Sequence, residues 1–231
     1  MRFAICVVGA LVVVFDAAAP VLASVKPSSE SVAAAVRAQG AFHYTYVQRP
    51  VGGDVIRMVG DAAIGSGIQR ITFSKDGHTG HVTTIVLSNT AYVRGDAFTL
   101  HNFPSLAAPA AIADKDSGKW LKIDHSNRGF ATVAGGVRLD SSWLRELQMP
   151  SSTRSAGTTT VDGQRVVRLQ TTFRYGPATG TRTLYVRAAG KPLPVEQTTV
   201  FKGKMINDVH YSKWGETLHI VTIRTSLKLA P

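Results

Sequence analysis

The feature that most constrains this chain is a long series of short segments with period-two alternation, each ended by a sequence that turns the backbone back on itself. Phe42-His43-Tyr44-Thr45-Tyr46-Val47 alternates aromatic with mixed side chains, and comparable segments follow at 55–59, 69–74, 81–87, 91–94, 98–100 and 119–123. They resume at 158–161, 164–172, 181–187, 195–201, 205–212 and 217–223. Such alternation puts successive side chains on opposite faces and suits a sheet with one face buried. The punctuation is equally informative. Lys75-Asp76-Gly77, Ser88-Asn89, Val161-Asp162-Gly163-Gln164 and Phe201-Lys202-Gly203-Lys204 are turn sequences in which Gly, Asn and Asp accept positive φ. Val51-Gly52-Gly53-Asp54 marks a further turn. Strands joined so tightly pair antiparallel.

Three segments depart from the pattern. Residues 30–39 read as a helix that Ser28 or Ser29 caps, Glu30 favours in its first turn and Gly40 closes. Residues 106–114 are Ala-rich with Leu106, Ala110 and Ala113 on one side, and Pro109 limits how early a helix begins. Residues 141–147 read as a helix with Ser141 as cap and Trp143, Leu144 and Leu147 as its buried stripe. About eleven strands and three helices in this order give a mainly β (α+β) class: one large curved antiparallel sheet carrying helices on one face. No internal repeat or low-complexity linker divides residues 24–231, so a single domain is expected.

Residues 1–23 indicate where the chain works. Arg2 begins it, Phe3 to Phe15 is almost wholly apolar, and Val21-Leu22-Ala23 is a small-residue cleavage site before Ser24. This is the pattern of a secretory signal peptide cleaved after Ala23. The apolar run is shorter than the ~20 residues of a spanning helix, and Asp16 ends it. The expected location is therefore extracytoplasmic: secreted, periplasmic or in the cell envelope. Cys6, the single cysteine, leaves with the peptide and lies too early to accept a lipid anchor. The mature chain then has no disulfide, thiol nucleophile or thiolate ligand. Arg2 and Asp16 cancel, so the net charge stays at +11. An anionic membrane surface fits that charge outside the cytoplasm. Nucleic acid is not expected, because the basic residues are scattered and no run of four occurs.

Motifs for chemistry are absent. His78 and His81 stand three apart beside Asp76, but no third ligand is near and they read as exposed hairpin residues rather than a metal site. His125, His210 and His219 are dispersed among strands. Ser141-Ser142 and Ser151-Ser152 lack a nucleophile elbow. Asp114 and Asp116 belong to a solvated loop rather than an acid–base pair. Gly60 to Gly67 has neither a following Lys-Ser nor a capped helix, so no phosphate loop is read there. The expectation is a non-enzymatic protein with no catalytic residue, metal or cofactor. Trp120 and Trp214 read as structural anchors.

Several motifs in order resemble a known family. Tyr92-Val93-Arg94-Gly95-Asp96-Ala97 is followed, after a helical insert, by Gly118-Lys119-Trp120-Leu121-Lys122-Ile123. Then come Val161-Asp162-Gly163, Thr183-Leu184-Tyr185-Val186, Pro192-Leu193-Pro194-Val195 and Tyr211-Ser212-Lys213-Trp214-Gly215-Glu216. This series resembles the LppX/LprG-type exported proteins, relatives of the LolA lipoprotein carriers, over nearly all of residues 24–231. The resemblance implies a half-open barrel whose concave face carries helices and whose apolar cavity holds acyl chains of a lipid or glycolipid. Period-two pairs that could line such a face are Ile71 with Phe73, Ile85 with Leu87, Leu121 with Ile123, Val167 with Leu169, and Leu184 with Val186. Leu106, Ile112, Trp143, Leu144 and Leu147 would meet them from the helices. Ser24 stands where many members of that family have a lipidated cysteine, which implies a diffusing or peripherally bound form. The function expected is a lipid carrier or chaperone at the cell envelope. The alternative on the same scaffold is an envelope-stress sensor that binds a membrane-bound protein of the anti-sigma-factor type.

Overall fold

The computed structural model describes residues 27–50, 53–103, 106–139, 141–220, 223 and 226–228, so the signal peptide expected at 1–23, with Cys6, and Ser24 lie outside the described residues. Helix α1, Ser29–Gln39, opens on a reciprocal cap: the Ser31 N–H donates to Ser28 Oγ at 3.1 Å and the Ser28 N–H to Ser31 Oγ at 2.9 Å. Gly40 at φ 72 ends it, as the left-handed closing position requires. Strands β1 (Ala41–Gln48), β2 (Val55–Ala63), β3 (Ser66–Lys75), β4 (His78–Leu87) and β5 (Thr90–Gly95) form an antiparallel meander. Short helices α2 (Ala97–Asn102) and α3 (Ala110–Asp116) precede β6 (Leu121–Asp124), and α4 (Phe130–Gly135) and α5 (Ser141–Leu147) follow it. A second meander comprises β7 (Arg154–Val161), β8 (Gln164–Tyr175), β9 (Ala178–Arg187), β10 (Pro194–Phe201) and β11 (Lys204–Ser212).

The two meanders join through their first and last strands, β1 and β11, where Tyr44 faces Tyr211 in register. The resulting order is β12-β6-β5-β4-β3-β2-β1-β11-β10-β9-β8-β7, with β12 (Leu227–Lys228) parallel to β6 and the rest antiparallel. Its edge strands β12 and β7 do not pair with each other, so the sheet is not closed.

Where the structure departs from the sequence pattern, local chemistry explains it. Residues 98–100 belong to helix α2 rather than a strand. Asp96 accepts hydrogen bonds from the Thr99 N–H at 2.8 Å and from the His81 N–H, and this cap outweighs three residues of alternation. The helix placed at 106–114 starts at Ala110, with Pro109 in the capping position. Helix α4, lodged between Gly129 and Gly136, was not legible, since six residues show too little periodicity. Of the strand expected at 217–223, Thr217 to Ile220 and Ile223 have no regular structure, and 221–222 lie outside the described residues.

The inward face buries two clusters. One lies under β2–β6 and α2–α4 and includes Phe73, Val82, Val93, Leu100, Phe103 and Phe130. The other gathers Val32, Val36, Phe42, Leu147, Leu184 and Tyr211 from α1, α5, β1 and the second meander. Met58 packs against both. Trp214 stacks on Phe42 at 4.9 Å and donates from Nε1 to the Pro194 carbonyl at 3.0 Å, which fits the anchor expected of it.

Candidate functional site

A cavity of about 560 Å³ occupies the seam between the clusters. The sheet lines it with alternate residues of seven neighbouring strands: Val82 and Thr84 (β4), Gln69 and Ile71 (β3), Met58 (β2), Tyr46 and Gln48 (β1), Asn207, Val209 and Tyr211 (β11), Gln197 (β10) and Arg182 (β9). The helical side contributes Phe103 at the end of α2, Leu106 between α2 and α3, Thr132, Val133 and Gly136 in and just after α4, and Trp143 and Glu146 of α5. At about 4.8 Å per strand spacing, the lining from β4 to β9 runs for roughly 29 Å along the sheet.

Sheet register sorts this lining by polarity. At the β3–β4 end Ile71 and Val82 meet Phe103, Leu106 and Val133. At the other end a polar row crosses four strands at one level: Gln48 opposes Asn207, Asn207 opposes Thr199, and Thr199 opposes Arg182. Arg182 Nη2 lies 3.4 Å from Glu146 Oε2, and with side chains 29% and 55% exposed this pair borders solvent. In mid-cavity the Gln69 amide donates to Tyr44 Oη at 2.8 Å and approaches the Gly136 carbonyl at 3.4 Å, tying the sheet to the end of α4. Gly60 lies between those two residues in register, and a Cβ there would fall 2.6 Å from Tyr44 Oη, so the contact requires glycine.

Other polar atoms at the seam are not matched. Trp143 Nε1, Tyr211 Oη, Gln197 Oε1 and Asn207 Oδ1 are buried without a hydrogen-bond partner among the described residues. Tyr211 and Gln197 are only 5% and 4% exposed. Burial foremost, then the nearby Glu146 carboxylate, pushes the Tyr211 phenol well above its ordinary value. The same two causes in the same order raise Tyr46 to about 12. Both phenols therefore stay neutral at physiological pH.

Of the lining residues expected from sequence, Ile71, Leu106 and Trp143 border the cavity. Phe73, Leu121 and Ile123 are packed inside the first cluster, and Leu144, Leu147, Val167, Leu169, Leu184 and Val186 belong to the second. Ile85 and Leu87 stand on the opposite face of β4, because Val82, Thr84 and Val86 take the inward positions. Ile112 is 43% exposed, since α3 turns Ala113 inward instead. The polar lining was missed. Its signal was present as polar residues at inward positions of otherwise apolar stripes, such as Gln69 before Ile71 and Phe73, or Gln197 between Val195 and Phe201. On the sheet's outward face, Glu196, Asp208 and His210 bring ligand-type atoms within 4.8 Å of one another, a grouping that cross-strand register creates; His78 and His81 take no part in it.

No protein-family model and no curated protein matches the chain. Its fold is similar to that of LprF from Mycobacterium bovis, with a TM-score of 0.53 at 12% identity over 84% of this chain and 94% of that one. The Mycobacterium tuberculosis lipoprotein LppX matches with a TM-score of 0.49 at 12% identity, over 83% of this chain and 95% of that one. A Pseudomonas aeruginosa MucA/MucB complex matches with a TM-score of 0.38 at 14% identity, over 79% of this chain and 53% of that one. The chain thus has an LprF-like open antiparallel sheet over most of its length.

Proposed function

We propose that this protein is an exported, non-enzymatic binding protein that takes the acyl part of a lipid or glycolipid into the cavity between sheet and helices, and carries or presents it at the cell envelope. The observation that carries this reading is the cavity itself. Its volume of about 560 Å³ falls within the ~300–1,000 Å³ typical of ligand sites, and its deep end, bounded by Ile71, Val82, Phe103 and Val133, is apolar. A hydrocarbon chain placed there removes its surface from water at about 25 cal/mol per Å².

Native mass spectrometry of residues 24–231, purified without detergent and incubated with an envelope lipid extract, tests the reading. Discrete added masses that extract into organic solvent are expected. Val133→Phe, which adds bulk at the apolar end, should lose those masses while retaining the far-ultraviolet spectrum of the parent. A parent protein that stays free of added mass after incubation would end the proposal.

The outward face offers a second, weaker contact with the envelope. Arg57, Arg70 and Arg94 are exposed on alternate positions of β2, β3 and β5, and Arg70 and Arg94 share a level through Thr83. Each well-placed cation contributes about 1 kcal/mol at an anionic membrane. Sedimentation with phosphatidylglycerol vesicles should weaken as salt rises and in the triple Arg→Glu variant, whereas salt-independent sedimentation would remove the membrane surface from the proposal.

A further inference from the structure

Resting on that lipid-binding reading, we infer that the ligand is a one-chain amphiphile with an uncharged, hydroxyl-bearing head such as a glycerol or a sugar. The chain lies at the Ile71–Val82 end, and the head is held beside Tyr211, Gln197 and Asn207. Three observations carry this.

The first is polarity. The cavity is apolar at the Ile71–Val82 level, with Gln69 and Thr84 one step along the same two strands, and more polar where β1, β11, β10 and β9 meet, next to the exposed edge at Glu146. An amphiphile fits this gradient in one orientation, with its head toward solvent.

The second is unmet hydrogen bonding. Trp143 Nε1 can only donate, the Tyr211 hydroxyl donates and accepts, and the Gln197 and Asn207 amides offer both roles. All four present a buried atom without a partner among the described residues, and Tyr211 and Gln197 are more than nine-tenths buried. Mixed donors and acceptors match hydroxyl groups, which are themselves both. Among the described residues the charge at this end is balanced, because the one cation in that lining, Arg182, already faces Glu146 at 3.4 Å. A carboxylate or phosphate head would meet that carboxylate and the acceptor oxygens of the amides, and among the described lining residues neutral donors rather than an unpaired cation answer its charge.

The third is size. About 560 Å³ lies in the middle of the ~300–1,000 Å³ range of small-ligand sites. One chain with a small head matches that size more closely than two or three chains do.

The test uses residues 24–231 free of detergent at neutral pH, with Trp143 in the cavity wall as the fluorescent reporter. The probes, each below its micellar concentration, are monopalmitoylglycerol, dipalmitoylglycerol, palmitate and palmitoyl-lysophosphatidylglycerol. Monopalmitoylglycerol is expected to bind about tenfold or more tightly than each of the other three, as one or two buried polar contacts would give. Tyr211→Phe and Gln197→Leu should each remove about tenfold of that preference. Equal affinities, or a preference for palmitate or the phosphate head, overturn the head assignment while lipid binding stands. Preference for the two-chain lipid overturns the one-chain assignment. Binding of none of the four overturns the lipid-binding reading and this inference with it.

Discussion

Under β2–β6 the inward side chains close on the helices above them: Phe73 stacks on Phe98 at 5.9 Å and meets Phe103 edge-on at 5.7 Å, while Leu100 and Val93 are almost fully buried. Under β9–β11 the inward positions hold Arg182, Gln197, Thr199 and Asn207 beside Leu184 and Val209. Both halves come from the same hairpin chemistry, so the difference lies in what was placed on the inner face. An apolar lining collapses until it is packed. A lining with buried amides and hydroxyls resists collapse, because each polar group driven against hydrocarbon without a partner costs about 1–3 kcal/mol. The first half is thus the more tightly packed, and the second leaves a cavity at the seam beside it.

The largest test of this contrast removes core from each half. Phe73→Ala and Leu184→Ala both delete side chains that are essentially unexposed, at 1% and 0%. Urea unfolding should show losses of about 3–5 kcal/mol for the phenylalanine and about 2–5 for the leucine. The second half also has an apolar floor around Phe42, Leu147 and Leu184, so a Leu184→Ala loss below about 1 kcal/mol would mean that this floor is not a true core and the contrast is misdrawn.

A smaller effect is expected at Asp96, which fastens the first half by capping α2 and binding the backbone of β4. Burial works to raise this carboxyl, but the backbone N–H groups of His81 and Thr99 outweigh it and hold it below its ordinary value. Asp96→Ala should cost about 1–2 kcal/mol at neutral pH. Because the folded value is depressed, the contribution is fully present above the unfolded value and is lost as pH falls through the folded one. Wild type and variant should therefore converge in acid, and a gap that persists at low pH would assign the loss to packing rather than to the ionised cap.

The same division governs what could be read in the sequence. The hairpins were legible because two residues suffice to specify them: Asp76-Gly77, Asp162-Gly163 and Lys202-Gly203 all adopt the paired positive φ their composition favours. Helix α1 was legible from its cap and closing glycine, and α5 from its stripe, although Ser141, expected as the cap of α5, is its first helical residue and of the stripe only Leu147 is fully buried. The pairing of β1 with β11 was not, since no local signal encodes a contact between residues so distant in the chain. The cavity lining was lost for the same reason. Phe73 and Ile71 share a face and a strand, yet only Ile71 borders the cavity, because Phe98 and Phe103 cover its neighbour. Alternation assigns a residue to a face, and what covers that face is decided by helices arriving from elsewhere.

The finest test lies in two tyrosines that face each other across the β1–β11 seam. Tyr44 and Tyr211 are both buried, and burial foremost raises both phenols. Tyr44 receives a hydrogen bond from the Gln69 amide at 2.8 Å, whereas the Tyr211 hydroxyl has no partner among the described residues. Deleting the oxygen should therefore act in opposite directions. Tyr44→Phe leaves the Gln69 amide facing an apolar ring and should lower the unfolding free energy by about 1 kcal/mol, whereas Tyr211→Phe removes an unmatched polar atom and should leave it unchanged or raise it by a similar amount. Thermal and urea unfolding of ligand-free residues 24–231 reads both. Equal losses would mean that the Tyr211 hydroxyl already contributes to the fold, and the seam would then be structural on both sides. Opposite signs would show that the second meander keeps a polar group where it costs stability, as a surface built to meet another molecule would.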